Sequence, residues 1–405
     1  MKRVLLAAGL AAVFLSVTAN SFAGDWPEWR GPNRDGTTSE SVGWLSGELK
    51  TVWRMNFGDG FSAVSVVGDR AYTMTSDEES EYLVCLDVKT GDEHWRQRTD
   101  AIFKDRQGGD GPRATPAVVN GMVYTISAHG KLHAMNAESG KPAWMKDLVK
   151  DYSGRKPYWG YSGSPLVIEN VVYAEAGGPN GQCFVAIDAK TGDTVWTSNS
   201  SKPGYATPAL MNLAGMEQLV FFPADGAVGI SLTGEPLWSY PWKTSYDVNS
   251  ATPLQVNDRR LLLASGYDKG TSVVEIAKEN GSYTASGVWT NKVLKSQMAS
   301  PVFKDGYIYG FDGGTLKCVN ADTGDDSWAV TRTFGRGTVI LANDKLVILG
   351  EQGNLAVADA APGAYNEHVH KMAIETARKG WTSPSLSNGF LFIRSLKEIA
   401  CIDVR

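Results

Sequence analysis

The sequence of 405 residues contains little cysteine, and its four cysteines include no adjacent pair. Three of them occupy one position of a repeated motif, within Cys85-Leu86-Asp87, Cys318-Val319-Asn320 and Cys401-Ile402-Asp403. Equivalent positions of a repeat usually lie farther apart than the Cα separation of about 4.4 to 6.8 Å that a disulfide requires. We therefore predict that these three are small buried core residues, with two disulfides as the alternative. The pattern assigns no role to Cys183.

Long apolar runs are also absent, because no segment approaches the ~20 consecutive apolar residues that a membrane helix requires. A shorter apolar stretch, 4–17, follows two basic residues and precedes Ser21-Phe22-Ala23, whose small residues suit signal peptidase. This arrangement is typical of a secretory signal peptide, 1–23, cleaved after Ala23. We expect a protein without a membrane span that is secreted across the inner membrane and is periplasmic or extracellular. Since no cysteine lies near the cleavage site, we do not expect a lipoprotein.

A block of positive charge is missing as well. The formal net charge is −5, and the Lys and Arg residues are scattered along the chain. Proteins that bind nucleic acids use clustered cations to neutralise phosphates. We therefore expect no nucleic-acid partner, and we expect a monomer.

Internal repetition is the most informative feature of the sequence. Six segments begin alike, as Ala114-Thr115-Pro116, Gly163-Ser164-Pro165, Ala206-Thr207-Pro208, Ala251-Thr252-Pro253, Ala299-Ser300-Pro301 and Thr382-Ser383-Pro384. The first five prolines recur roughly every 45 residues, whereas the last interval is close to two periods. A weaker copy at 336–339 fills that interval, and another at 61–64 precedes the first proline, so eight copies are predicted. We place Gly337 and Ala63 at the small-residue position of these two copies, where strands that converge on an axis are crowded.

Each copy continues with short apolar runs separated by turn residues such as Asn120-Gly121 and His129-Gly130. This pattern is typical of antiparallel strands joined by tight turns. Most copies then reach a glycine-containing turn and a tryptophan, as in Thr191-Gly192 to Trp196, near which a fourth strand begins. The pattern predicts an all-β fold, an eight-bladed β-propeller of four-stranded antiparallel blades that bury their faces against one another.

The two ends of the chain complement each other. The last copy ends at Arg405 after three strands, whereas the segment 51–56, which contains Trp53, has the sequence of a fourth strand. We predict that this N-terminal strand completes the last blade and closes the ring. We expect Trp26 and Trp29 to lie outside the core. The predicted organisation is a signal peptide at 1–23, an N-terminal extension at 24–50 and a single propeller at 51–405.

The repeats resemble those of pyrroloquinoline-quinone (PQQ) propellers of the quinoprotein dehydrogenase type, as in the segment from Asp188 through Thr191-Gly192 to Trp196. The segment Trp26-Pro27-Glu28-Trp29-Arg30-Gly31-Pro32 is similar to the start of exported propellers of the BamB-like type, named after an outer membrane assembly factor. The resemblance covers about residues 51 to 405. It implies a binding scaffold in the cell envelope or, alternatively, a PQQ-dependent dehydrogenase.

The resemblance also implies what an enzyme of this type would need. Such enzymes hold the quinone with a vicinal disulfide, a stacking tryptophan and a calcium ion, and they use a catalytic aspartate. No two cysteines are adjacent here, and the chain lacks room for the insertions that build the enzymes' funnel. His129 and His133 fall in a predicted turn and the following strand, so nothing directs both to one metal ion. We therefore expect no PQQ, calcium or other metal and no catalytic residue, and we predict a non-catalytic scaffold.

Two long links between blades form a candidate binding surface. The links 96–113 and 145–162 flank the second predicted blade, so they should be neighbours on one face of the propeller. They combine cations with aromatic side chains, a composition that is enriched in binding hot spots. We predict that a protein partner in the cell envelope binds there; the alternative is that the loops only cover the mouth of the central channel. The candidate residues are Phe103, Lys104, Arg106, Arg113, Arg155, Lys156, Tyr158, Trp159 and Tyr161.

Overall fold

Short β-strands arranged around a common axis account for nearly all the secondary structure. The structure is a computed structural model that describes residues 24–375 and 379–405. The predicted signal peptide, 1–23, lies outside the described residues. The strands form eight sheets of four antiparallel strands, one of which gains a short fifth strand. The predicted all-β, eight-bladed propeller is therefore confirmed.

The strands are numbered in chain order. Two precede the first blade, β1 (Thr37–Thr38) and β2 (Lys50–Asn56). Blade 1 comprises β3 (Ser65–Val67), β4 (Arg70–Ser76), β5 (Ser80–Asp87) and β6 (Glu93–Ala101); blade 2 comprises β7 (Ala117–Val119), β8 (Met122–Ile126), β9 (Lys131–Asn136) and β10 (Pro142–Asp147). Blade 3 comprises β11 (Leu166–Ile168), β12 (Val171–Glu175), β13 (Phe184–Asp188) and β14 (Thr194–Ser198); blade 4 comprises β15 (Ala209–Leu213), β16 (Met216–Phe221), β17 (Gly226–Ser231) and β18 (Pro236–Pro241).

The second half of the ring has the same construction. Blade 5 comprises β19 (Leu254–Gln255), β20 (Arg260–Ser265), β21 (Gly270–Glu279) and β22 (Ser282–Asn291); blade 6 comprises β23 (Val302–Lys304), β24 (Tyr307–Asp312), β25 (Thr315–Asn320) and β26 (Asp326–Thr331). Blade 7 comprises β27 (Thr338–Ala342), β28 (Lys345–Leu349), β29 (Asn354–Asp359) and β30 (Glu367–Met372); blade 8 comprises β31 (Ser385–Ser387), β32 (Phe390–Arg394), β33 (Glu398–Asp403) and β2. A helix, α1 (Leu148–Asp151), and a 3-10 turn, Ser245–Asp247, lie in links between blades. No helix of the described residues is long and apolar enough to cross a membrane.

The ring closes through the N-terminal strand, as predicted. Strand β2 is the outer strand of blade 8 and pairs antiparallel with β33, placing Trp53 opposite Cys401. A buried arginine of blade 8 adds a second link to blade 1, because Arg394 Nη1 donates a 3.1 Å hydrogen bond to Thr73 Oγ1. Backbone pairing thus joins the two ends of the chain within blade 8, and the Arg394 side chain joins blade 8 to blade 1.

The repeated tryptophan fastens each blade to the next one. In six blades its indole Nε1 donates to a backbone carbonyl of the following blade: Trp53 to Val88, Trp95 to Ala137, Trp144 to Ala189, Trp196 to Leu232, Trp289 to Ala321 and Trp328 to Ala361. Blade 4 differs, because Trp238 donates to Gln218 of its own blade. Blade 7 carries Val369 at the corresponding place of its fourth strand.

The glycine of the repeated turn lies directly against the indole of the preceding blade. Gly91 has φ +77°, and a Cβ there would lie 2.8 Å from Trp53 Cδ2 and 2.7 Å from Met55 Cε. The turn therefore requires glycine both for its left-handed backbone and for the space that the indole occupies. This contact explains why a glycine-containing turn and a tryptophan recur together in the sequence.

All four cysteines are unpaired and buried. The prediction that Cys85, Cys318 and Cys401 are core residues is confirmed. Cys183, to which the repeat assigned no role, is also buried and packs in a cluster with Phe184 and Phe221 of blades 3 and 4.

One detail of the predicted repeat alignment is wrong. Val67 of β3 pairs with Arg70, just as Val119 of β7 pairs with Met122, so Ser62 aligns with Ala114. The small-residue position of blade 1 is therefore Ser62 and not Ala63. This copy lacks the proline that fixes the register of six other copies, so a shift of one residue went undetected.

The expectation that Trp26 lies outside the core is also wrong. Its side chain is only 2% exposed and packs with Val66, Phe392 and other residues of the core between blades 8, 1 and 7. Its backbone exchanges two hydrogen bonds with Val66, at 2.9 and 2.7 Å. The N-terminal extension folds into the propeller because its backbone groups find partners along the innermost strands.

The N-terminal extension crosses one end of the central channel. We call residues 25–40 the N-terminal plug. The plug contacts the inner segments of blades 2, 3, 5, 6 and 7. Pro27 O accepts from Val118 N, and Gly36 O accepts from Leu341 N. Arg34 Nη2 donates to Val167 O, Trp29 Nε1 donates to Thr252 Oγ1, and Arg30 Nη2 donates to Pro301 O. Its strand β1 pairs parallel with β27, and Glu40 accepts from the backbone N–H groups of Asn388 and Gly389. The channel is therefore obstructed at this end.

Candidate functional site

The unobstructed end of the channel forms a cavity of about 370 Å³, which we call the funnel. Six aromatic side chains line it: Trp29, Phe61, Trp159, Tyr205, Tyr267 and Trp381. Trp29 belongs to the plug, four of the others belong to links that precede blades, and Tyr267 belongs to the turn between β20 and β21. The funnel is therefore a pocket with one mouth, and it has the size of small-ligand sites, about 300 to 1,000 Å³.

Hydroxyl groups around the axis hold the inner strands together. Thr115 Oγ1 accepts a 3.1 Å hydrogen bond from Ala63 N, and Ser164 Oγ accepts a 2.9 Å bond from Thr115 N. Thr207 Oγ1 continues this relay by accepting from Ser164 N at 2.9 Å. The Ser or Thr that precedes each of these prolines thus satisfies a buried N–H of the neighbouring blade. The sequence showed these hydroxyl residues, but it did not show what they bind.

The two long loops meet as predicted. Trp159 Nε1 of the second loop donates to Gln107 Oε1 of the first loop at 3.3 Å. Lys156 Nζ lies 5.4 Å from the ring centroid of Phe103, also across the two loops. The Arg113 guanidinium also lies over the Phe103 ring, 4.6 Å from its centroid. The loops therefore form one continuous surface beside the funnel.

The nine candidate residues divide into buried and exposed ones. Phe103 and Tyr161 are 6% and 4% exposed, and the side chain of Arg113 is 8% exposed and pairs with Asp105 at 3.1 Å. These three residues support the loops from within. Tyr158 is 72% exposed and forms an edge-to-face pair with Trp159 at 4.9 Å. The other six residues, which we call the loop surface, are the exposed Lys104, Arg106, Arg155, Lys156 and Tyr158 and the half-buried Trp159, which also lines the funnel.

A buried carboxylate anchors the first loop. Glu81 Oε1 accepts from Phe103 N at 3.3 Å, and its Oε2 accepts from Ala128 N at 3.0 Å, so one side chain ties the loop to blade 2. Burial raises the pKa of Glu81 to about 7, although the two backbone hydrogen bonds oppose this shift. No sequence pattern pointed to this residue, because the partners of Glu81 lie far from it in the chain.

Several funnel residues were missed in the sequence. Trp381 of the link before blade 8 stacks on Phe61 at 5.7 Å with an interplanar angle of 18°. Tyr205 packs against Trp159 at 5.9 Å, and Gln297 and Arg336 line the funnel from the links before blades 6 and 7. These residues come from four different links, each of which supplies only one or two of them, so no local motif joins them. All of them lie at or just before the start of a repeat, and this shared position was the signal in the sequence that could have identified them.

Metal ligands do not gather in this region. Within residues 24–375 and 379–405, no group of three or more His, Cys, Asp or Glu side chains is arranged to hold a metal ion. His133 is buried, its Nε2 lies 2.9 Å from Thr99 O, and burial lowers its pKa. His129 Nδ1 instead lies 3.2 Å from Lys156 Nζ. The two histidines therefore face different partners.

The fold and the funnel define a propeller of the PQQ-like class, in which tryptophan-docked blades surround an axial pocket. Within this class, the sequence profile of the family described as outer membrane protein assembly factor BamB matches residues 104–330. This match spans more than half of the chain, so the chain belongs to that family.

Individual relatives have limited sequence identity to the chain. The BamB protein of Burkholderia pseudomallei is 29% identical over 326 residues, which cover 78% of this chain and 68% of that protein. The BamB protein of Bordetella pertussis is 24% identical over 300 residues, which cover 62% of this chain and 70% of that protein. Both are named outer membrane protein assembly factors.

Solved structures share the fold at still lower identity. Quinohemoprotein alcohol dehydrogenase from Comamonas testosteroni superimposes with a TM-score of 0.67 and 12% identity, covering 95% of this chain and 81% of that one. BamB from Moraxella catarrhalis gives a TM-score of 0.59 and 14% identity, covering 88% of this chain and 100% of that one. At such identities the likeness concerns the fold alone.

Proposed function

We propose that the protein is a non-catalytic scaffold of the cell envelope that binds a protein partner through the loop surface. The observation that carries this proposal is the aromatic pair of exposed Tyr158 and half-buried Trp159, in which the Trp159 indole is held by Gln107 of the other loop. Rigid aromatic side chains beside arginine are enriched among residues that dominate binding energy. Family membership supports the same function, because the curated relatives are named as assembly factors.

The positioning of the surface also supports binding. The cations Arg155 and Lys156 lie next to the aromatic pair, and the cavity of the funnel opens beside it. Function in rigid scaffolds is usually carried by such connecting segments. The buried contacts of Phe103, Glu81 and Ala128 limit the movement of the first loop, so little ordering entropy is lost when a partner binds.

A pull-down from envelope extract, with identification by mass spectrometry, tests this proposal. The double variant Arg155→Ala with Trp159→Ala should lose the partner, whereas the exposed control Lys190→Ala on the blade 3 turn should retain it. Circular dichroism must first show that both variants are folded. If the folded loop variant captures the partner as well as the control does, the assignment of this surface is wrong.

The envelope location is part of the proposal. It is supported by the signal-like sequence 1–23 and by the family. We propose cleavage after Ala23 and no lipid anchor. The intact mass of the exported protein tests both statements, since retention of 1–23 or an added acyl mass would contradict them.

A PQQ-dependent dehydrogenase is the alternative, and one observation favours it: the axial funnel is lined by tryptophans and has the fold of a quinohemoprotein dehydrogenase. The donor set of the chain does not fit that cofactor. The sequence contains no adjacent cysteines, and the acidic group that lines the funnel, Asp105, is engaged by Arg113 at 3.1 Å. We therefore propose no catalytic step.

A further inference from the structure

The funnel combines flat apolar walls with a particular set of polar groups. Phe61 and Trp381 form one stacked pair, and Trp159 with Tyr205 forms another contact pair. Between these rings, a ligand can bury apolar surface on aromatic faces. The polar groups then decide which apolar ligand fits.

The acidic group of the funnel is already engaged. Asp105 Oδ2 accepts from Arg113 Nη2 and from Gly108 N, each at 3.1 Å. Its Oδ1 accepts from Gln107 N at 2.9 Å. This carboxylate therefore has little capacity left to accept hydrogen bonds from a ligand.

The polar groups that stay available are mainly donors. Within the described parts of the chain, the side-chain polar groups of Gln297, Arg336 and Tyr267 have no hydrogen-bond partner, and all three residues line the funnel. A guanidinium offers five N–H donors and no acceptor, an amide offers two donors and one acceptor oxygen, and a phenol oxygen both donates and accepts, so donors outnumber acceptor atoms. A matching ligand is rich in acceptors and poor in donors.

We propose that the funnel binds a proline-rich segment of the protein partner in the polyproline II conformation. Proline rings present flat apolar faces to tryptophan and tyrosine, and proline has no N–H to satisfy. The carbonyl groups of a polyproline II helix make no internal hydrogen bonds, so they can accept from the donors of the wall. This inference rests on the proposed function, because it assumes that the partner is a protein.

Other ligand classes fit the wall less well. A saccharide offers donors as well as acceptors in every hydroxyl group, whereas the available groups of the wall contain more donors than acceptors and the carboxylate is engaged. A basic peptide would face the guanidinium groups of Arg113 and Arg336. The charge balance of the funnel thus disfavours a cationic ligand.

The shape of the funnel limits how the segment enters. The N-terminal plug obstructs the far end, where Trp29 is fixed by its hydrogen bond to Thr252. A chain cannot pass through, so the segment inserts an end or a turn through the mouth. A cavity of about 370 Å³ holds a few residues of an extended chain, since a polyproline II helix rises about 3.1 Å per residue.

Binding of a blocked hexaproline peptide to the full protein tests the proposal, with a blocked Gly-Ser peptide of equal length as the control. Isothermal titration calorimetry and quenching of tryptophan fluorescence should show saturable binding of hexaproline and at least tenfold weaker binding of the control peptide. The double variant Gln297→Ala with Arg336→Ala should bind hexaproline about tenfold more weakly. Its matched control is Arg259→Ala, which removes another exposed arginine in the turn between β19 and β20.

The contrary outcomes are distinct. Absence of saturable hexaproline binding overturns the proposal, and so does equal affinity of the funnel double variant and the Arg259→Ala control. Binding of a planar carboxylate such as PQQ in place of hexaproline also overturns it and identifies a small-molecule site.

The partner pull-down separates this inference from the proposed function when the loop variant is Arg155→Ala with Tyr158→Ala, because Trp159 also lines the funnel and these two residues do not. If the loop variant loses the partner while the funnel variant keeps it, the proposed role of the loop surface is supported, and the proposal that the funnel binds a proline-rich segment is wrong. If the funnel variant loses both hexaproline and the partner while the loop variant keeps them, the proposal for the funnel is supported, and the proposal that the loop surface binds the partner is wrong.

Discussion

The indole of Trp53 donates a 2.8 Å hydrogen bond to the carbonyl of Val88, so the strand that completes blade 8 is fastened to blade 1. The same side chain is only 9% exposed. One residue of the N-terminal strand therefore contributes both to the core and to the contact between the first and last blades.

Trp53→Ala should lower the free energy of unfolding by about 3 to 5 kcal/mol, the usual range for truncation of a buried tryptophan. Trp53→Phe keeps a ring in the core and removes the hydrogen bond, so it should cost less. Urea denaturation followed by circular dichroism measures both. A Trp53→Ala variant as stable as the wild type would show that the ring closes without this contact.

Trp26→Ala should be comparably destabilising, by about 3 to 5 kcal/mol, because the plug tryptophan is buried against Val66. The control is Glu48→Ala in the same extension, whose side chain is 91% exposed. It should change stability by no more than about 0.5 kcal/mol. Equal stability of the two variants would mean that the plug is not part of the core in solution.

Two glycine substitutions separate backbone strain from packing. Gly91 and Gly121 have φ of +77° and +74°, but a Cβ at Gly121 would contact nothing within 4 Å, whereas one at Gly91 would strike Trp53 and Met55. Gly121→Ala should therefore cost about 1 to 2 kcal/mol from the left-handed backbone alone. Gly91→Ala should cost about 1 to 3 kcal/mol more, because the indole must move. If the two variants had the same denaturation midpoint, the close contact between Gly91 and the Trp53 indole would be refuted.

Stability should depend on pH through Glu81. A glutamate in the unfolded chain has its ordinary pKa of 4.5, whereas burial raises the pKa of Glu81 to about 7 in the folded protein. Between these two values the folded state binds more protons, so the contribution of this group to stability falls as the pH rises from about 4.5 to about 7.

Glu81→Gln should remove that contribution, so that the variant loses less stability than the wild type over the same pH range. Glu79→Gln, at an exposed position two residues earlier, is the control and should keep the wild-type slope. Urea denaturation at several pH values gives the slopes. If Glu81→Gln and the wild type show parallel slopes, the carboxyl does not titrate in this range.

The purified protein should not bind PQQ tightly. Titration with PQQ and calcium, followed by tryptophan fluorescence, should show no saturable binding in the submicromolar range, because Asp105 is engaged by Arg113 and the chain has no adjacent cysteines. Tight saturable binding would favour the dehydrogenase alternative over a scaffold.

The repeat made most of the ring predictable. A period of roughly 45 residues, a small residue near the axis and a tryptophan on the fourth strand are local signals that recur, and they predicted eight blades and the closing strand. The alignment went wrong by one residue at Ser62, where the copy has no proline. The plug could not be predicted, because Trp26 and Arg30 are buried by residues of distant blades and follow no period.

The candidate site was predictable in part. Loop length identified the two loops that meet at Trp159 and Gln107, since long links stand out against short ones. Burial could not be read from composition, so Phe103 and Arg113 were grouped with exposed residues although they support the loops. Funnel residues such as Trp381 and Gln297 each come from a different blade, and only the closed ring brings them together.

The pairing of β2 with β33 bears on how the protein is made. Residues 50–56 are synthesised long before their partners at 398–403. Blade 8 cannot assemble until those partners emerge, and the early strand has an unpaired edge until then. We expect chains interrupted before residue 398 to keep that edge exposed and to be cut by proteases more readily than the closed ring. Ring closure thus makes the protection of the early strand depend on the synthesis of β33.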